Sequence, residues 1–198
     1  MNKQSDDIKA IREMMEKSSK FTSINGLSLV LAGIIAVIGG CYANYLLHNN
    51  EKIIVLIHLL LITAIVVLVL AVGIISLFSW RKSRKNQQSL LNSVTRRAAY
   101  SLLVPLAAGG LFSLVLLLRS SGSVDIVAAS TLIFYGLALI NASKYTFSEL
   151  HFLGICEVIV GLLAAVFLYH GILFWILGFG VCHIVCGVIM YVKYDRKK

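Results

Sequence analysis

Long apolar stretches separated by short polar segments set the pattern of this chain. Uncharged residues run over 21–50, 53–80, 98–118 and 126–143, and a final stretch over 145–192 carries only two acids and three histidines. A helix needs about 20 apolar residues to cross a hydrocarbon core about 30 Å thick, so each of the first four stretches predicts one crossing. The final stretch, at about 1.5 Å per residue, is about 70 Å long and predicts two.

The pattern therefore predicts an all-α fold, a polytopic transmembrane helical bundle. Within a membrane domain over 21–192, the six spans cover about 24–47, 53–79, 99–118, 126–144, 148–168 and 172–192. The last two spans are expected to fold back at Tyr169-His170-Gly171, where glycine adopts turn conformations that other residues resist. No ten-residue alternation typical of a barrel is present, so we expect three antiparallel helical hairpins.

Lysine and arginine are concentrated on one side of the predicted bundle. Sixteen of the 18 fall in the N-terminal arm, the loop over 80–98, the connection at Lys144 and the tail over 193–198. Short cytoplasmic loops carry this excess in membrane proteins. Both termini are therefore expected in the cytoplasm, and the protein is expected in the cell membrane.

Composition removes other classes of protein. The chain is 59% hydrophobic and 14% charged, with a mean hydropathy of +0.88, whereas soluble domains carry about a quarter charged residues. This balance excludes a cytosolic enzyme with a conventional core, a disordered tail and a secreted disulfide scaffold. The formal net charge of +9 fits a topology signal that also contacts anionic lipid. The basic loop lacks the interleaved aromatic side chains of a nucleic-acid site.

The N-terminal arm over 1–20 predicts a cytoplasmic amphipathic helix. A hydroxyl and two acids over 5–7 suit a helix start, and Ile8, Ile11, Met14 and Met15 recur at helical spacing. In one interpretation this apolar face lies on the inner leaflet. In the other it docks a cytosolic protein or a second copy of the chain, since methionine-containing faces adapt to partners.

Glu157 is the acid placed deepest in a predicted span, where an ionisable group needs a partner or an aqueous cavity. It lies thirteen residues before His170 in the predicted turn, and His183 lies thirteen after it. Residues equidistant from the turn of an antiparallel hairpin are level, so the two side chains are expected to meet between the fifth and sixth helices. The pair is either a polar clasp that holds the hairpin or a protonation site.

Three further features are candidate sites. Cys182, Cys186 and Met190 form a stripe of soft ligands that suits Cu(I), although small residues at every fourth position favour close packing instead. Pro105 removes a helix hydrogen bond and is a candidate hinge. Asn141 is expected to bond across helices.

Two segments suggest an internal repeat. The related tetrapeptides over 19–22 and 143–146 each precede a glycine pair seven residues apart, Gly26/Gly33 and Gly154/Gly161. Thr146 and Glu149 also predict a capping box at the start of the fifth helix. Each segment would begin a helical hairpin at the cytoplasmic face.

Over 26–42 and 153–191 the chain resembles HdeD-like proteins, small bacterial membrane proteins of six helices built from repeated hairpins. The likeness is carried by glycine-rich first helices and by the Gly178-Phe-Gly180 and Gly187-Val-Ile pattern of the last helix. The segment over 141–194 is also similar to the ends of uncharacterised bacterial membrane proteins. The resemblance implies a role in envelope or acid-stress tolerance. One departure is the single proline, Pro105, which stands inside the third span instead of near an outer turn.

The sequence carries no common catalytic signature. It contains no Gly-x-Ser-x-Gly, no His-Glu-x-x-His and no phosphate-binding glycine loop. We expect a non-enzymatic structural or regulatory membrane component without a cofactor, whose partners are lipid, a second copy or a cytosolic protein. The alternative is a small proton-coupled transporter or ion pathway that uses Glu157 and His183.

Overall fold

The computed structural model describes residues 23–49, 53–85, 93–119, 124–167 and 169–196. In chain order the helices are α1 (Gly26–Asn49), α2 (Ile53–Lys85), α3 (Ser93–Arg119), α4 (Val124–Ala142), α5 (Ser148–Val166) and α6 (Gly171–Asp195). These described ranges contain no strand, and all six helices are long and apolar enough to cross a membrane. The prediction of an all-α, multi-pass membrane protein is therefore confirmed at this level. The predicted amphipathic helix over 1–20, with its apolar face of Ile8, Ile11, Met14 and Met15, lies outside the described residues.

Three helices extend beyond the predicted spans into polar sequence. α2 continues to Lys85 and α3 begins at Ser93, so both ends of the segment that the sequence assigns to a loop over 80–98 are helical. α6 likewise continues to Asp195, through most of the predicted tail. Lysine and arginine are good helix formers, so a membrane-spanning helix can continue past its apolar residues into a basic segment.

The turn between α5 and α6 uses a different residue from the one predicted. The left-handed backbone conformation occurs at Tyr169, with φ at 73°, and not at the glycine. Gly171 instead begins α6 in close contact with α4: its N–H donates to Oδ1 of Asp125 at 2.9 Å. A Cβ at this glycine would lie 2.6 Å from the Cα of Asp125. The glycine is required here for close approach and not for turn geometry.

The α4–α5 crossing brings two backbones into contact. A Cβ built on Gly136 would lie 2.6 Å from the carbonyl oxygen of Gly154, and one built on Gly154 would lie 2.7 Å from the carbonyl oxygen of Gly136. About two turns further along α5, a Cβ on Gly161 would lie 2.7 Å from the Ile133 side chain. Small residues allow this approach, which maximises van der Waals contact in a membrane.

The α1–α6 crossing repeats the arrangement. A Cβ on Gly187 would lie 2.7 Å from the carbonyl oxygen of Gly26, and a Cβ on Gly33 would lie 2.8 Å from that of Gly180. Each helix supplies two glycines seven residues apart, so the contact extends over two turns. The glycine pairs that suggest an internal repeat thus both lie at close crossings, one against α6 and the other against α4.

These crossings leave α1, α4, α5 and α6 at the centre, with α2 and α3 outside. Half of the most apolar window of α1 is buried, compared with 11% for α3 and none for α2. α2 packs on α1, and α3 packs on α4. Polar contacts hold α3 to α4: the Ser113 and Ser130 hydroxyls lie 2.8 Å apart, and Asn141 Nδ2 donates to the Ser101 carbonyl at 3.1 Å. The latter is the interhelical bond expected of Asn141.

At the end of the bundle where α1 begins and α6 ends, called here the terminal end, Asp195 joins three helices. Its Oδ1 lies 2.8 Å from Nζ of Lys82 in α2, and its Oδ2 accepts the N–H of Gly26 at 2.8 Å. Lys82 also donates to the Ile24 carbonyl at 2.8 Å. Because both charged side chains are largely buried, at 13% and 10% exposure, the pair escapes most of the solvent screening that weakens surface ion pairs.

Glu149 makes a second tertiary contact at the terminal end, in place of the predicted capping box. Its Oε1 accepts from Nζ of Lys193 at 2.6 Å and from the Tyr194 hydroxyl at 2.9 Å. The N-cap of α5 is Phe147, without a side-chain cap, and the Thr146 hydroxyl donates instead to the Ala142 carbonyl at 3.1 Å. The capping-box prediction is therefore wrong, because both side chains are engaged by partners outside the first turn of α5.

Gly154→Ala tests the α4–α5 crossing. The added methyl would meet the Gly136 backbone, which cannot rotate away, so we expect a loss of about 1–3 kcal/mol in the free energy of unfolding in detergent micelles. The matched control is Gly73→Ala in α2, since a Cβ there meets nothing within 4 Å. That variant should be as stable as the parent or slightly more so, because alanine favours helix. Equal stability of the two variants would contradict the crossing.

Candidate functional site

The structure brings Glu157 of α5 and His183 of α6 together in the middle of the bundle. Oε1 of the carboxylate lies 3.2 Å from Nδ1 of the imidazole. Glu157 is fully buried and His183 is 4% exposed. Glu157 lies twelve residues before Tyr169 and His183 fourteen residues after it, so counting from this turn predicts that the two side chains are nearly level.

Tyr135 of α4 is a third member of the site, which the sequence analysis does not single out. Its hydroxyl lies 2.8 Å from Nε2 of His183, and the two rings stack with centroids 5.4 Å apart. The sequence indicates this contact only through the distance of each residue from the start of its helix. Tyr135 lies ten residues after Asp125 and His183 twelve after Gly171, and the Asp125–Gly171 contact aligns the two helices.

Gly178 shapes the space around the carboxylate. A Cβ at this position would collide with Oε2 of Glu157 and with the Leu132 side chain. Gly178 lies in a π-helical stretch of α6, Ile176–Cys182, and π-helical turns occur often at functional sites. Its carbonyl oxygen lies 3.2 Å from Nδ1 of His183. The π-helical stretch of α6 therefore places one backbone acceptor beside the pair, and the missing side chain of Gly178 leaves room for the Glu157 carboxylate.

The hydrogen-bond partners assign the proton on the imidazole. A carbonyl oxygen only accepts, so the contact with Gly178 places a hydrogen on Nδ1 of His183. Within the described part of the chain, neither carboxylate oxygen of Glu157 accepts a hydrogen bond. The 3.2 Å contact between Oε1 and Nδ1 is consequently a close polar contact and not an aligned hydrogen bond. Tyr135 completes the ring's bonding at Nε2.

Apolar side chains lie on both sides of the pair along the membrane normal. The terminal-side cluster consists of Leu29, Leu139, Phe147, Leu150, Leu153, Cys186 and Met190. The opposite-side cluster consists of Ala129, Leu132, Val160 and Ala164, with Phe174, Trp175 and Phe179 packed on it. A charge between two such clusters is strongly disfavoured without a counter-charge. The pair is therefore stable only as a unit with no net charge.

The remaining candidates have packing contacts. Cys186 and Met190 belong to the terminal-side cluster, and Sγ of Cys186 donates to the Glu149 carbonyl at 3.8 Å. Cys182 packs against the same cluster. α3 runs through Pro105 as one continuous helix. The Cu(I) stripe and the hinge thus remain predictions, and the contacts that the three side chains of the stripe make are those of a packed interior.

Comparison with known proteins identifies no relative. No protein-family model, no curated protein and no solved structure matches the chain. A functional assignment for this chain therefore depends on the geometry of the bundle.

His183→Ala tests the interaction within the site. Removal of the imidazole leaves the Glu157 carboxylate buried without a counter-charge, so we expect a loss of about 3–5 kcal/mol in the free energy of unfolding. The double variant Glu157→Gln/His183→Ala should be more stable than His183→Ala alone, because glutamine carries no charge. Unfolding in detergent micelles measures both.

His58→Ala is the matched control for this double-mutant cycle, since among the described residues that exposed imidazole bonds the Ile54 carbonyl of its own helix and no other helix. It should leave stability within about 0.5 kcal/mol of the parent. Additive losses from Glu157→Gln and His183→Ala would show that the two side chains do not interact.

Proposed function

We propose that the chain is a non-enzymatic structural or regulatory component of a cell membrane, in which Glu157, His183 and Tyr135 form a polar clasp. The carrying observation is that the Glu157 carboxylate is fully buried between two apolar clusters. In this proposal the six helices cross the membrane as three antiparallel hairpins. Both termini lie in the cytoplasm, as the concentration of lysine and arginine on the terminal side favours.

The clusters on either side of the pair favour a clasp over a pathway. Transport of a proton or ion through a bilayer requires water or a chain of polar groups that leads to and from the site. Along α4, α5 and α6, the turns next to the pair carry Leu132 and Leu139, Leu153 and Val160, and Phe179 and Cys186. A clasp requires only contacts that connect α4, α5 and α6 at one level, and Tyr135, Glu157 and His183 make such contacts.

One observation favours the second candidate, a small proton-coupled carrier. Neither carboxylate oxygen of Glu157 accepts a hydrogen bond from the described residues, and a buried acceptor without a donor is expensive. A carrier would use that unsatisfied carboxylate to bind and release a proton. It would also have to open one apolar cluster, because the carboxylate has no exposed surface.

The resemblance to HdeD-like proteins supports a physiological setting in envelope or acid-stress tolerance. Under the leading proposal the protein would act there by contact, through lipid, a second copy of the chain or a cytosolic protein. The segment over 1–20 is the proposed docking element, because its pattern combines an apolar face with basic residues.

Proton flux into proteoliposomes tests the clasp against the carrier. Under a pH gradient of either sign, the luminal pH of vesicles that contain the wild-type chain should change no faster than that of empty vesicles, and Glu157→Gln should behave in the same way. A pH-sensitive dye trapped in the lumen measures the rate. Flux that exceeds the empty-vesicle rate and is abolished by Glu157→Gln would establish the carrier and refute the clasp as the sole role.

Crosslinking in native membranes tests the docking element. The full chain and a variant with Ile8, Ile11, Met14 and Met15 replaced by serine keep the same charges, so membrane topology should be unchanged. The full chain is expected to yield crosslinked species, identified by mass spectrometry, that the serine variant loses. An identical set of crosslinked species from both would reject residues 1–20 as a docking element.

A further inference from the structure

Two cavities adjoin at the end of the bundle opposite the terminal end. The outer cavity, called here the mouth, has a volume of about 540 Å³. Its polar lining consists of Asn44 and His48 near the end of α1, Asp125 at the start of α4, and Tyr169 and His170 in the α5–α6 turn. These residues lie where helices begin and end, which is the level of lipid head groups in a spanning bundle.

The inner cavity, called here the slot, is almost entirely apolar and has a volume of about 130 Å³. Gly39 of α1, Ala64 and Val67 of α2, Ala128 of α4 and Trp175 of α6 are among its lining residues. An apolar cavity of about 150 Å³ in a soluble protein is large enough for benzene. The slot therefore holds several carbons of a hydrocarbon chain and not a whole chain.

The mouth and the slot form one site with a polar top and an apolar floor. Ile172 lines both cavities, and α1, α2, α4 and α6 each contribute to both. From Trp175, about 6 Å below the start of α6, to Gly39, about 15 Å from the end of α1, the slot descends through one leaflet of a core about 30 Å thick. This order of polarity matches a membrane lipid, with its head group at the interface and its acyl chains below.

The polar groups of the mouth favour a head group that donates hydrogen bonds. Asp125 supplies a carboxylate, and its Oδ1 accepts the N–H of Gly171 at 2.9 Å. The Nδ1 atom of His48 lies 2.8 Å from the Asn44 carbonyl, so Nδ1 carries the hydrogen, and in the neutral ring Nε2 is an acceptor. A primary ammonium group has three donors and a positive charge, and it complements the Asp125 carboxylate and the His48 acceptor better than an anionic phosphate does.

We propose that the mouth and the slot bind one phospholipid with a primary amine in its head group, of which phosphatidylethanolamine is the simplest. The ammonium group lies at Asp125 and His48, and part of one acyl chain occupies the slot between α2 and α4. This lipid differs from the bilayer around the bundle because it sits in a concave site between four helices.

Native mass spectrometry of the full chain, purified in detergent and titrated with lipid, tests the site. Wild-type protein should bind one phosphatidylethanolamine about tenfold more tightly than phosphatidylglycerol with the same acyl chains, as one charge-assisted hydrogen bond of about 1.5 kcal/mol provides. Asp125→Asn keeps an acceptor for the Gly171 N–H and removes the charge, so the preference should fall to about twofold or less. Equal affinities of the wild type for the two lipids would overturn the proposal.

Ala64→Trp tests the slot separately. Ala64 is an exposed residue at the cavity wall, so a large side chain fills the slot without entering the packed centre of the bundle. Both lipids should bind about tenfold more weakly, an effect of about 1.4 kcal/mol. Ala108→Trp, at an exposed position of α3 that does not line the slot, is the matched control and should bind as the wild type does. Undiminished binding by Ala64→Trp would also overturn the proposal.

Discussion

Contact between helix backbones at glycine is the interaction on which the rest of this bundle depends. Lipid tails are as apolar as leucine, so the transfer of apolar side chains from lipid to a helix interface gains little, and association relies on close packing and polar contacts. Gly136 against Gly154 and Gly33 against Gly180 bring α4 to α5 and α1 to α6 so close that a Cβ added at Gly136 or Gly33 would lie within 3 Å of the facing backbone oxygen. Helices that lack such contacts, α2 above all, remain at the periphery.

The buried Glu157–His183 contact depends on these crossings and in turn restrains them. Glu157 lies one turn from Gly154, and Tyr135 precedes Gly136, so the α4–α5 contact sets the distance across which the site forms. A slip of α6 by one turn, about 5.4 Å, would separate the carboxylate from the imidazole of His183 and leave both buried without a counter-charge. Glycine packing provides the attraction between helices, and the polar clasp selects one register from those that the small residues permit. Such selection is the best-attested use of buried polar groups.

The features that depend on solvent and on chain length could be predicted from the sequence. Apolar runs of about 20 residues identify the spans, and counting from the turn places Glu157 beside His183, because helix rise is constant. Tyr135 could not be found in this way, since an aromatic residue in an apolar helix has no distinguishing spacing. The predicted capping role of Glu149 is wrong although its local sequence fits a cap. Lys193 and Tyr194, more than forty residues away, bind the carboxylate instead. Contacts of that kind depend on helix packing, which hydrophobic periodicity does not contain.

The described residues make different contacts at the two ends of the bundle. At the terminal end, Asp195 joins α6 to α1 and α2, and Glu149 joins α5 to α6. At the opposite end, Asp125 bonds the start of α6, and the space between α1, α2, α4 and α6 is occupied by two cavities. The helices α4 and α6 run from the mouth directly to Tyr135 and His183, so these two helices connect the cavities with the buried pair.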